Sequence, residues 1–153
     1  MIRKARLDDV PAIHHLINEH AEQGLMLFRA PAELYEHLRD FCVCENDGQI
    51  VGCCALEIMW RDLAEIKSLA VVPACQRRGI GRALVTAALA EAADLGLKQV
   101  FALTRVPEFF ACQGFEVVDR RSLPHKIWDD CLRCPRRDEC DEIAVIRTVG
   151  QDE

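Results

Sequence analysis

Apolar residues along this chain fall into short runs and helical repeats, separated by turn residues. The most informative run is Leu63 to Val72, a strand that stops at Pro73. A basic loop follows, Gln76-Arg77-Arg78-Gly79-Ile80-Gly81, and an Ala- and Leu-rich helix opens at once and ends at Gly96. Upstream, Ile2 to Ala5 forms a short strand. Val10, Ile13, Leu16 and Ile17 then recur at helical spacing. Asp8 or Asp9 can cap that helix, Pro11 fits its first turn, and Gly24 ends it. A second helix is predicted from Pro31 to Arg39. Phe41 to Glu45 and Ile50 to Ile58 read as strands, joined by Asn46-Asp47-Gly48-Gln49, whose residues tolerate positive φ. Trp60-Arg61-Asp62 turns the chain into Leu63. After the long helix come a strand from Lys98 to Thr104, a short helix from Pro107 to Cys112 stopped by Gln113-Gly114, and a strand from Phe115 to Val118. Residues 122–140 are irregular, and Glu142 to Val149 returns as a final strand.

The early strands are linked by a hairpin and the later ones through helices. That mixture predicts an α/β (α+β) fold: a mixed twisted sheet of six to seven strands flanked by about four helices. There is no internal repeat, low-complexity tract or interdomain linker. Residues 1–149 therefore read as a single domain, with a short tail at 150–153.

Composition narrows the function classes. The hydrophobic fraction is 50%, enough for a full core and unlike a disordered chain. A net charge of −6 argues against a nucleic-acid binder, which presents a basic surface. No apolar run reaches the roughly 18 residues of a membrane span. The first residues, MIRKARLDDVP, are too polar for a signal peptide, so the expected location is cytoplasmic. Nine cysteines is a high count for 153 residues. In a reducing compartment such thiols are reduced, metal-bound or redox-active more often than they form a disulfide framework.

The candidate chemistry starts at the basic loop. A strand feeding a Gly-containing loop that opens a helix is a phosphate-binding geometry. First-turn N–H groups lack intrahelical acceptors, and the helix dipole puts positive charge at that end. Arg77, Arg78 and Arg82 add formal charge there. The alternative is an ordinary strand–turn–helix. The loop is not a P-loop, lacking the GK[ST] ending, and it lacks the Rossmann glycine spacing.

Elsewhere, period-2 alternation puts Glu65, Lys67 and Leu69 on one strand face. Glu65 is either a general base or one half of a pair with Lys67 across a solvated face. A carboxylate among apolar neighbours has its pKa raised, and Lys67 would oppose that. Arg29, between the first two helices, is either a substrate-site rim residue or a surface cation. His14, His15 and His20 read as a solvated or half-buried helix face. Cys42, Cys44, Cys53 and Cys54 lie inside strands and read as core.

The pattern Gln76-x-x-Gly79-x-Gly81 after an apolar strand resembles the coenzyme A pyrophosphate loop of the GNAT N-acetyltransferase family. Phe109-Phe110-Ala111-Cys112-Gln113-Gly114-Phe115 resembles the aromatic pair and Gly-Phe near the end of such chains. The resemblance implies the GNAT acyl-CoA N-acyltransferase fold, acetyl-CoA as cosubstrate and direct transfer in a ternary complex. It implies a cofactor site formed by Leu69, Ala70, Val71, Gln76, Arg77, Arg78, Gly79, Ile80, Gly81, Arg82 and Phe110. Backbone at Leu69 to Val71 would hold the acetyl carbonyl, and Glu65 would be the base. Many relatives carry a tyrosine acid where this chain has Phe110, which cannot donate a proton.

Phe101-Ala102-Leu103-Thr104-Arg105, the stretch around Arg29, and Leu123-Pro124 are similar to the acetyltransferase domain of N-acetylglutamate synthases, in a short stand-alone form. This implies glutamate as acceptor, in arginine biosynthesis. Arg29, Lys67 and Arg105 are then its carboxylate clamps, because guanidinium and ammonium groups match carboxylates. Arg105 could instead contact the helix that follows. A small-molecule partner and a homodimer are expected, and neither nucleic acid nor membrane. The alternatives are a GNAT enzyme acetylating another small amine or a protein N-terminus, and a non-catalytic acetyl-CoA or amino-acid sensor.

Cys131, Cys134 and Cys140 form C-x2-C-x5-C in the irregular segment. Three thiolates with knuckle spacing are candidate ligands for a structural zinc, which wants a fourth, such as His125, Cys112 or a partner's cysteine. Packed thiols, a disulfide and a redox pair are the alternatives. A structural zinc predicts about one metal per chain retained after reduction. Metal analysis of reductant-treated protein checks this, and a metal-free, fully folded sample removes the zinc reading.

Overall fold

A computed structural model of the chain describes residues 1–123 and 142–149. Among these residues, seven strands and four α-helices follow one another, matching the expected class. They are β1 (Ile2–Lys4), α1 (Val10–Glu22), α2 (Pro31–Glu36), β2 (Phe41–Asn46), β3 (Gln49–Trp60), β4 (Leu63–Val71), α3 (Ile80–Asp94), β5 (Gln99–Thr104), α4 (Pro107–Ala111), β6 (Glu116–Val118) and β7 (Ile143–Thr148). The strand order is β1-β2-β3-β4-β5-β7-β6. β4 and β5 are parallel, while β1–β2, β2–β3, β5–β7 and β6–β7 are antiparallel. The chain divides into two compact units: Met1–Glu57 with Ile66–Glu91, and Ile58–Glu65 with the residues from Ala92 onward.

In the first unit, the apolar face of α1 (Val10, Ile13, Leu16 and Ile17) packs with Leu34 of α2, Phe41 and Val43 of β2, and Cys53 and Ala55 of β3. The 3.6-residue period of the helix meets the 2-residue period of the strands there, as each requires for one buried face. The four strand cysteines are buried, as expected of small apolar residues. His20 is buried as well, against the expectation of a solvated or half-buried face. Its Nδ1 lies 3.0 Å from the Leu16 carbonyl, which satisfies the ring within the helix.

The β2–β3 hairpin turns at Asp47 (φ 53°) and Gly48 (φ 78°), both in the left-handed region that two-residue hairpin loops need. Its register slips between Cys44 and Glu45, where Cys44 faces Gly52 but Glu45 faces Ile50. Val51 is the extra residue of this bulge. Its carbonyl accepts from Val72 N–H at 2.8 Å, just past the end of β4.

Most expected boundaries shift by a residue, and two shift further. The second helix stops at Glu36 rather than Arg39, and a 3-10 turn at Leu38–Asp40 completes the connection. The tighter turn lets the chain swing directly into Phe41, which is fully buried. β3 continues to Trp60, because Met59 still points inward.

In the second unit, Met59, Leu63, Phe101, Leu123 and Ala144 form the core, with Leu103, Val118 and Ile146 packed against it. Pairing of Leu63, Ala64 and Glu65 with Gln99, Val100 and Phe101 joins β4 to β5.

Asp9 does not cap α1 with its side chain. Its carboxylate instead accepts from Arg6 N–H at 2.7 Å and binds Arg3 through both oxygens, at 2.7 and 3.1 Å. The Arg3 hydrogen bond holds the Asp9 carboxyl below its ordinary value of 3.8. A depressed carboxyl contributes stability that is present above its unfolded value and lost as pH falls through the folded one. Asp9→Asn is therefore expected to cost about 2–3 kcal/mol at pH 7. In urea titrations the gap from the parent protein should shrink below about pH 4.

Candidate active site

The site begins with a break in β4. Ser68 sits at φ 54° inside the strand. A left-handed residue in extended chain ends the simple alternation, so the face predicted for Glu65, Lys67 and Leu69 is not continuous. Residues 63–66 are all buried, while 67–69 are half-buried. The Ser68 carbonyl accepts from Cys53 Sγ at 3.4 Å. Burial pushes the Cys53 thiol up to about 12, so it keeps the proton it donates.

Arg29 converges on the same residue. It precedes α2, and its Nη1 donates to Ser68 Oγ at 3.1 Å. The guanidinium lies over the Phe41 ring, 5.3 Å from the centroid. Its side chain is only 10% exposed, so it is not the surface cation of the alternative reading. Nε approaches Glu33 Oε2 at 3.2 Å without hydrogen-bond alignment, which leaves this buried N–H with no hydrogen-bond acceptor.

Lys67 is half-buried, and its Nζ lies 2.6 Å from Glu57 Oε1 on β3. Donor atoms of His37, Asp40 and Glu57 lie within 4.8 Å of one another. Burial, with Glu57 adding to it, pushes the Asp40 carboxyl up, while His37 and Arg29 draw it down. The Lys67 ammonium already supplies the positive charge beside Glu57.

The basic loop leaves β4 through a 3-10 turn at Pro73–Cys75. Gln76 Nε2 donates back to the Val71 carbonyl at 3.1 Å and ties the loop to the strand end. Arg77 (φ 66°) and Gly79 (φ 85°) are left-handed, and residues 76–79 are exposed. Ala83 N–H donates to the Gly79 carbonyl at 2.9 Å, closing the first turn of α3. The N–H groups of Ile80, Gly81 and Arg82 precede that bond and have no partners within the helix. The geometry is that of an anion cradle. The α3 face with Leu84, Val85 and Ala88 is buried.

Gly52 fixes how closely α3 approaches. A Cβ there would meet Ile80 Cγ2 and Leu84 Cδ1 at 3.1 Å and the Ala70 carbonyl at 3.4 Å. Sequence reasoning missed Gly52, Glu57 and Ser68. A lone glycine inside an apolar strand is a known sign of close approach and could have flagged the first. Nothing local marks the other two.

In the second unit, Glu65 is 5% exposed and faces Phe101 in the β4–β5 register. It is not on a solvated face. Phe110 is buried, in edge-to-face contact with Phe109 and Phe115 at 5.1 Å each. Arg105 is half-buried just past the end of β5, where Thr104 Oγ1 accepts from Val106 N–H at 2.9 Å. The structure thus brings Arg29 to Ser68 and Lys67 to Glu57 within the first unit, and places Glu65, Phe110 and Arg105 in the second. Cys131, Cys134 and Cys140, the proposed zinc ligands, lie outside the described residues.

The model of the acetyltransferase (GNAT) family matches residues 9–115. The chain belongs to the GNAT acetyltransferase family. Among the relatives of this GNAT chain, an uncharacterized N-acetyltransferase of Chlorobaculum tepidum is 43% identical, over 97% of this chain and 96% of its own. An amino-acid acetyltransferase of Mycobacterium tuberculosis is 40% identical, over 87% of this chain and 78% of its own. The N-acetylglutamate synthase of Neisseria gonorrhoeae, solved with coenzyme A and N-acetyl-glutamate, superposes with a TM-score of 0.89 at 32% identity. That match covers 99% of this chain and 35% of the synthase, so the GNAT chain spans about a third of it. No helix among the described residues is long and apolar enough to cross a membrane.

The buried cysteines Cys53 and Cys54 are not nucleophiles. Burial raises Cys54 well above its ordinary value, as it does Cys53, and the thiolate is the reactive form. Iodoacetamide at pH 8 should label the exposed Cys112 in the native enzyme and leave Cys53 and Cys54 unmodified until denaturant is added. Peptide mapping checks this, and native labelling of Cys53 would contradict the burial argument.

Proposed function

We propose that this GNAT enzyme transfers the acetyl group of acetyl-CoA directly to the α-amino group of glutamate. One observation carries the reading. The Arg29 guanidinium is held by Phe41 and Ser68, next to Leu69, with a buried Nε–H that lacks a hydrogen-bond acceptor. A carboxylate supplies two acceptor oxygens and satisfies such a group in bidentate fashion. The relatives named amino-acid acetyltransferase, and the gonococcal synthase bound to coenzyme A and N-acetyl-glutamate, support the same acceptor class.

In this reading the cradle of Gln76, Arg77, Arg78, Gly79, Ile80, Gly81 and Arg82 holds the pyrophosphate of acetyl-CoA. The backbone of Leu69, Ala70 and Val71 holds the acetyl thioester, and Arg29, Lys67 and Arg105 hold the acceptor's carboxylates. Glu65 takes a proton from the acceptor ammonium, and the free amine attacks the thioester carbonyl carbon. A β4 N–H stabilises the oxyanion. Collapse breaks the C–S bond, and the nitrogen's remaining excess proton passes through water to the departing coenzyme A thiolate or to solvent, because Phe110 has no proton to give.

Thiol release from acetyl-CoA, measured across the amino acids, tests the proposal. Glutamate is expected to be turned over. Arg29→Ala should raise the KM for glutamate roughly 10- to 100-fold and that for acetyl-CoA far less. Glu65→Gln should lower kcat by about 100-fold or more. Turnover of a basic amine with none of glutamate would overturn the assignment.

A further inference from the structure

Lys67 carries this inference, which rests on the acceptor reading above. Its ammonium meets Glu57 Oε1 at 2.6 Å, with the two side chains 29% and 26% exposed. Partial burial screens such a pair less than a surface pair. His37 and Asp40 face Glu57 within the same 4.8 Å group, and Arg29 has its own acid in Glu33. Among the described residues of the first unit, Arg29 and Lys67 thus each stand beside an acid, with Asp40 close to Glu57.

A site that prefers a dicarboxylate needs positive charge in excess. Glutamate brings a side-chain carboxylate, whereas glutamine brings an amide of almost the same shape. A Lys67 paired with Glu57 separates the two poorly, and removing the Glu57 charge strengthens the attraction of Lys67 for a carboxylate. We infer that Glu57 is a specificity-determining residue: by pairing with Lys67 it lowers the site's preference for a side-chain carboxylate and lets a neutral amide compete. Its role is indirect, since it acts on the acceptor through Lys67.

The test compares kcat/KM for L-glutamate and L-glutamine in the parent enzyme, Glu57→Gln and Glu57→Asp, at fixed pH and ionic strength. The parent is expected to acetylate both amino acids. Glu57→Gln should raise the glutamate-to-glutamine ratio about tenfold, through a lower KM for glutamate, with the KM for acetyl-CoA unmoved. Glu57→Asp keeps the charge and should keep the parent ratio. An unchanged or reduced ratio in Glu57→Gln overturns the inference, as does an equal rise of KM for both amino acids, the mark of lost packing alone. A parent enzyme that acetylates neither amino acid overturns the proposed function and this inference with it. Turnover of glutamate with a ratio that Glu57→Gln does not move overturns only the inference.

Discussion

A strand inside a sheet commits its N–H and C=O groups to its neighbours, so it has none to offer a ligand. The candidate site in this protein lies where β4 departs from regular extended geometry. Ser68, at φ 54° in β4, bends the backbone just before Leu69, Ala70 and Val71. Strain of this kind persists where the surroundings over-determine it. Here the surroundings are visible: Cys53 holds the Ser68 carbonyl, and Arg29 holds its hydroxyl. A buried, protonated thiol and a buried guanidinium thus fix the carbonyl and the hydroxyl of the residue that departs from the strand.

The cradle depends on a second constraint, close approach. Gly52 has no side chain, so Ile80 and Leu84 of α3 can lie directly on β3. Any Cβ there would press on the first turn of the helix, whose N–H groups form the cradle. The bulge that makes Val51 an extra residue lies beside Gly52, and the Val51 carbonyl takes the N–H of Val72. One irregularity in β3 therefore supports both the end of β4 and the start of α3.

Among the described residues, the two first-unit cations proposed to hold the acceptor each stand beside an acid. Arg29 stands beside Glu33 and Lys67 beside Glu57. Cations held by acids are positioned before a substrate arrives, which reduces the ordering cost of binding. In the proposed reading the same acids compete with an acidic acceptor, so position is obtained at the expense of charge.

The order of strands and helices was legible in the sequence because it follows from periodicity and turn chemistry, which are local. Asp47-Gly48 had to turn, Gln76 to Gly81 had to link a strand to a helix N-terminus, and the strand cysteines had to be buried. The family was legible for the same reason, since Gln76, Gly79, Gly81 and the Phe109–Phe115 stretch are contiguous signals. The position of Arg29 between two helices raised it as a candidate, but only resemblance favoured a site role, because nothing local separates a buried arginine from a surface one. Burial over Phe41, the left-handed Ser68, the Glu57–Lys67 pair and the contact made possible by Gly52 were decided by tertiary structure alone. Each joins residues far apart in the chain, and the energies of such contacts come from burial and distance, which no single stretch of sequence contains.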